Sequence, residues 1–183
     1  MINTDILVLP EEFVSACALY HISPETALLI FIWNVRVRHL LVQPEEKTGR
    51  LASSIIFLFM QKEKYVPLPV SEQQELMQIS YVKKLAKEVV GKKESEVNKL
   101  SYNRLIQSWY QLTCTGNRNE KCQTSCGLEI LLNREFYLTC HVLSCRAVDL
   151  LHYYVSHVSI KNALLLEGNY PCSASTLFFL EHI

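Results

Sequence analysis

The sequence predicts an all-α protein in which two related helical repeat units, of about 50 residues each, flank a central helical hairpin. Three observations carry that expectation. One stretch of the chain recurs within it. Each copy carries apolar residues at helical spacing. The segment between the copies has the start and stop signals of two amphipathic helices.

The recurrence runs from Glu12 to Val42 and again from Glu135 to Leu165, ungapped, at a constant shift of 123. The identical pairs are Glu12/Glu135, Phe13/Phe136, Cys17/Cys140, Leu28/Leu151, Val35/Val158 and Leu41/Leu164. Leu19/Val142, Phe31/Tyr154, Ile32/Val155, Val37/Ile160 and Arg38/Lys161 are similar. After a two-residue deletion the match resumes at a shift of 121 with Ser54/Ser175, Ile56/Leu177 and Phe57/Phe178. The expected units are therefore residues 1–62, 63–132 and 133–183, and an approximate internal two-fold is one way to arrange the outer pair. The second copy also acts as an internal control. What both keep is expected to be scaffold, and what differs is a candidate for function.

Each element has a local reason. Pro10 precedes a short helix over Glu11 to Tyr20, and His21-Ile22-Ser23 is a turn. Ser23 then suits an N-cap, with Pro24 at the first helical position and Glu25 in the first turn. Leu28, Phe31, Ile32 and Val35 fall at i, i+3, i+4 and i+7, one buried stripe, which Leu151, Tyr154, Val155 and Val158 repeat. A short segment follows, Val37 to Val42 in one copy and Ile160 to Leu166 in the other, as a helical turn or a strand. Polar loops (Gln43 to Gly49, Glu167 to Cys172) lead to last helices from about Ala52 to Met60 and from Ser173 to about Glu181. Between the copies, Val66-Pro67-Leu68-Pro69 is a rigid connector. Ser71 caps a helix to about Val90, where Gly91 stops it, and a second helix runs from about Ser95 to Leu112. Thr115 to Asn119 is a loop.

Bulk properties exclude several classes. Apolar residues make up 49% of the 183 and charged residues 20%, an ordinary globular balance. Formal charge is zero, so no global field draws nucleic acid or acidic lipid. Residues 61–121 nevertheless hold 11 of the 18 Lys and Arg against 7 acids. The longest apolar run, Ala27 to Trp33, is far short of the ~20 residues of a membrane span. No basic leader precedes an apolar stretch, so the expected compartment is the cytoplasm. The seven cysteines are odd in number and irregularly spaced, as for reduced thiols.

The sharpest functional signal is a difference between the copies. Leu29, Ile30 and Trp33 become His152, Tyr153 and Ser156. Leu29 and Trp33 are i, i+4 and lie off the shared stripe, so the first copy has a second apolar face. That face either packs on the central hairpin or binds another chain, a protein partner or a second protomer, with Trp33 as anchor. A non-enzymatic interaction or regulatory module is the leading expectation. The alternative is a nucleic-acid-associated, DNA-binding role for the hairpin's Lys83, Lys84, Lys87, Lys92, Lys93, Lys99 and Arg104, diluted by Glu88, Glu94 and Glu96. The helix–turn–helix shape of residues 11–35 does not itself serve DNA, because its second helix is too apolar for a groove.

A third reading is zinc on Cys114, Cys122 and Cys126, with Cys172 or a histidine as fourth ligand. Cys140 and Cys145 are set aside from it, since their counterparts Cys17 and Ile22 read as packing residues. His141, His152, His157 and Asp149 near Cys145 raise thiol catalysis, but no motif supports an enzyme. There is no Gly-rich phosphate loop, no His-Glu-x-x-His and no nucleophile elbow.

Overall fold

The computed structural model describes residues 6–62, 66–114, 121–159 and 173–182. The protein is mostly helical, with one small sheet. The elements are β1 (Ile6–Leu7), α1 (Glu11–Leu19), α2 (Pro24–Asn34), a 3-10 turn (Val37–Leu40), α3 (Lys47–Met60), α4 (Glu72–Val89), a second 3-10 turn (Glu94–Glu96), α5 (Lys99–Thr113), β2 (Lys121–Thr124), β3 (Glu129–Leu131), α6 (Arg134–Val142), α7 (Ala147–Ser156) and α8 (Ala174–Glu181). The second short segment, its loop with Cys172, and Thr115 to Asn119 lie outside the described residues.

The sheet corrects the all-α expectation. β1 runs parallel to β2, with Ile6 opposite Gln123, and β2 pairs antiparallel with β3, with Cys122 opposite Ile130. Strands of two to four residues are too short for alternation to be read from sequence. Their turn is specified locally. Gly127 sits at φ 82°, and the Thr124 hydroxyl accepts from Leu128 N at 2.9 Å. Leu7, Cys122 and Ile130 point into the core, so the segment read as a cysteine loop is a packed wall.

Helix starts follow their caps. Ser23 Oγ accepts from Thr26 N at 3.0 Å, and Ser71 and Gln74 form a reciprocal capping box. Asn98 Oδ1 accepts from Leu100 N and Ser101 N, so α5 begins at Lys99 rather than Ser95. Helix α3 begins at Lys47, five residues before the expected Ala52. Gly49, read as loop, lies in its first turn. A Cβ there would stand 2.8 Å from Pro44 Cβ and 3.3 Å from His39 Cε1, so the glycine serves close packing. The Val37–Leu40 segment is a helical turn, not a strand.

The α1–α2 and α6–α7 turns have the same geometry. Ile22 N donates to Cys17 O and His21 N to Ala18 O; Cys145 N donates to Cys140 O and Ser144 N to His141 O. These are the paired bonds of a Schellman motif, with the left-handed position filled by His21 (φ 56°) and Ser144 (φ 52°). Phe13, Cys17, Leu28, Phe31, Ile32 and Val35 are buried, as are Phe136, Cys140, Leu151, Tyr154, Val155 and Val158. In the last helices the burial pattern keeps the shift of 123. Ala52, Ile55 and Ile56 are buried, as are Ser175, Phe178 and Phe179. The pairing at 121 fails, since Ile56 is buried and Leu177 exposed, while Phe57 is exposed and Phe178 buried.

The two outer segments share one core. Phe31 stacks on Tyr154 with centroids 4.2 Å apart. Phe13 meets Tyr154 edge-on at 6.1 Å, and Phe136 meets Phe31 edge-on at 6.2 Å. Helices α3 and α8 pack together, joined by a Lys47–Glu181 ion pair. A second core forms between α4, α5 and the far side of α6. It holds Tyr81, Leu85, Val89, Ile106, Trp109, Val37 and Leu138, with Tyr81 stacked on Trp109. The expected central hairpin is thus α4 and α5, and it lies on α6. Among the described residues no single helix is long and apolar enough to cross a membrane.

Candidate functional site

Helix α2 puts Ala27, Leu28, Phe31 and Ile32 into the core. Leu29 and Ile30 are half-buried at its edge. Trp33, one turn beyond Leu29, remains 65% exposed. The hairpin packs on α6 and on the Val37–Leu40 turn, and it leaves Trp33 uncovered. Leu29 and Ile30 pack against the outer core instead of the hairpin. The corresponding residues of α7, His152 and Ser156, contact one another at 3.3 Å.

Lys83, Lys84, Lys87, Lys92, Lys93, Lys99 and Arg104 are all exposed. The acids expected to dilute them point to other partners. Glu88 accepts from the Ser101 hydroxyl at 3.0 Å, and Glu96 accepts from Lys93 N at 2.9 Å. Glu94 turns inward to Arg36, at 3.5 Å, and to Arg38, which is itself buried. Burial pushes the Glu94 carboxyl up, but the Arg38 hydrogen bond and charge, helped by Arg36, outweigh it and hold it below the usual range. Burial, reinforced by the charges of Arg38 and Arg36, lowers His39 to about 4, so it is neutral near pH 7.

Glu135, which the sequence comparison aligns with Glu12, is held at the edge of the second core. Its carboxylate accepts from the Tyr102 hydroxyl at 2.7 Å and from Val37 N at 3.2 Å. Burial raises its pKa despite both bonds. Glu12 accepts from the Ser159 hydroxyl at 2.6 Å. Glu135 thus reaches the chain just after α2, and Glu12 the chain just after α7.

The zinc reading does not assemble. Among the described residues no three His, Cys, Asp or Glu side chains come together as a metal-binding group. Cys122 faces the core, Cys126 is exposed beside Thr124, and Cys114 is half-buried at the end of α5. Of the residues that raised thiol catalysis, His141 and Cys145 line one cavity, and His152 meets Ser156. Asp149 is taken by Arg146 through two bonds of 2.9 and 2.6 Å, and the ring of His157 lies against the carbonyl of Tyr153.

A feature missed in the sequence is a cavity of about 510 Å³ under the connector. Leu68, Pro69 and Val70 form one side, and Cys122, Cys140 and Cys145 line it from β2 and the α6–α7 turn. Leu68 N donates to Ser144 O at 2.6 Å, and Gln78 Nε2 donates to His141 O at 2.9 Å. Local sequence offers no sign of it, since its walls come from four separate stretches of chain. No family model, curated protein or solved structure matches this chain.

Proposed function

We propose that the protein is a non-enzymatic interaction or regulatory module of the cytoplasm that binds a protein partner through the α2 face of Leu29, Ile30 and Trp33. The observation that carries this reading is the 65% exposure of Trp33 on a helix whose other side is wholly in the core. Tryptophan offers a large apolar area at little entropic cost, and such residues concentrate at the centres of interfaces. The two outer segments are, in this reading, copies of one unit packed about an approximate two-fold. The like turns and the matched pairs Phe13/Tyr154 and Phe136/Phe31 support it. The second copy then keeps the scaffold and lacks the binding face.

The test is capture of the tagged full chain from its native host, with and without nuclease, beside Trp33→Ala. The expected result is a protein that survives nuclease and is lost with Trp33→Ala. With about a third of the side chain buried, the substitution costs roughly 1 kcal/mol, so the fold is retained. Equal capture by the variant refutes the reading. A homodimer through the same face would instead appear as a sedimentation change abolished by Trp33→Ala.

A nucleic-acid-associated role for the hairpin is the second reading, favoured by one observation. Glu94 is drawn inward to Arg36 and Arg38, while Lys83, Lys84, Lys87, Lys92, Lys93 and Arg104 stay exposed without an ion pair among the described residues. Binding that falls steeply with salt and weakens in Lys83→Ala/Lys84→Ala/Lys87→Ala would favour it over the first.

A further inference from the structure

We infer that Cys140 and Cys145 are a redox pair, a modification site reached through the cavity beneath the connector, where a small peroxide closes the two thiols into a reversible disulfide. The pair occupies the two positions of a Schellman motif whose side chains normally touch. The backbones are joined by the Cys145 N to Cys140 O bond of 3.0 Å, which sets the two side chains side by side at the end of the helix. Both line the same cavity. Cys140 is buried and Cys145 half-buried, so Cys145 is the more accessible of the two. In the first copy the same motif places Ile22 opposite Cys17. The turn is common to both copies, but the thiol pair is confined to one.

The chemistry balances with hydrogen peroxide as the two-electron oxidant. Cys145 Sγ attacks one peroxide oxygen and the O–O bond breaks. The departing hydroxide takes the thiol proton and leaves as water, with Cys145 as a sulfenic acid. Cys140 Sγ attacks that sulfur, the S–O bond breaks, and a second water carries away the Cys140 proton. Two thiols are oxidised to one disulfide and peroxide is reduced to two waters. Burial keeps Cys140 from meeting the peroxide first, which leaves it the second, resolving step. The turn is also where the connector and α4 attach, through Ser144 O and His141 O. Oxidation there acts on the seat of the hairpin. In a reducing compartment, transient disulfides are characteristically sensing or catalytic ones.

The test uses the full-length reduced protein, treated with hydrogen peroxide, quenched by alkylation and digested with trypsin. Residues 135–146 form a single tryptic peptide holding both cysteines. The expected product is that peptide lighter by about two mass units, unalkylated, and restored by dithiothreitol. Cys140→Ser should leave Cys145 as a dimedone-reactive sulfenic acid. Cys145→Ser, or Cys145→Ala if the serine variant is unstable, should slow oxidation of Cys140 about tenfold. Cys122→Ser should leave the disulfide unchanged. The inference is overturned if both cysteines of the wild-type peptide remain alkylatable while Cys126 oxidises. It is equally overturned if Cys122 is the residue found joined to Cys145.

Discussion

Replacing His21 and Ser144 by glycine should stabilise the protein. Both sit at the left-handed position of their turns, at φ 56° and 52°. An L-residue there pays about 1–2 kcal/mol of steric strain. Glycine removes that strain and returns roughly 0.5–1 kcal/mol as lost chain entropy. The net gain is about 0.5–1 kcal/mol per site. Among the described residues neither side chain makes a hydrogen bond that offsets this, and the bonds of both turns run through backbone N–H and C=O, which glycine keeps. For a chain of this length, the double variant should melt roughly 2–8 °C higher. Urea titration followed by circular dichroism gives the free energy, with an unchanged m-value as the check. His21→Ala and Ser144→Ala should be near neutral, because alanine pays the same strain. Gly91→Ala and Gly127→Ala should cost about 1 kcal/mol each, since φ is 77° and 82° and nothing within 4 Å obstructs the new Cβ. If the glycine variants are no more stable than the alanine ones, the strain argument is wrong.

Other outcomes follow from the same geometry. Gly49→Ala should destabilise although alanine is the better helix former, because the added Cβ meets Pro44 at 2.8 Å; a raised melting temperature would contradict the close approach. Leu138→Ala should cost about 2–5 kcal/mol by emptying a fully buried site, read by urea titration. His39 contributes a pH term. Its folded pKa of about 4 lies below its ordinary 6.5, so the unfolded chain binds the extra proton between them and stability is lost as pH falls through that window. His39→Gln should flatten the stability profile between those values. The lowered Glu94 contributes stability above its ordinary 4.5, lost on further acidification, and the raised Glu135 acts oppositely, costing stability as pH rises through its folded pKa. Native alkylation should reach Cys126 first and leave Cys17, which burial holds near 11, unmodified.

Helices whose ends carry caps were legible in the sequence. Ser23, Pro24 and Ser71 each act within a few residues of where they stand, and the apolar stripe of α2 is a local period. The sheet was not legible, because β1 and β2 meet across more than a hundred residues and neither is long enough to alternate. Gly49 misled for a related reason. Its composition says loop, while the neighbours that require a missing Cβ, Pro44 and His39, are brought there by tertiary packing. Trp33, which is exposed, was singled out by comparing the two matching stretches of sequence. The thiol pair was discounted by that same comparison, since Ile22 opposite Cys17 makes Cys145 look like a plug. The cavity that gives Cys145 a second meaning has walls from four stretches of chain.

Helix α6 has one side in each core: Phe136 and Cys140 face the outer helices, and Leu138 faces the hairpin. Neither layer can therefore come apart without stripping a flank of the same nine residues. Unfolding should be a single cooperative event rather than a peeling of the hairpin from an intact remainder. Amide exchange should be slowest along α6, with protection there equal to the global free energy, and the exposed helix α1 should open earlier. Closing Cys140 on Cys145 at the C-terminal end of α6 would thus be felt through the whole molecule.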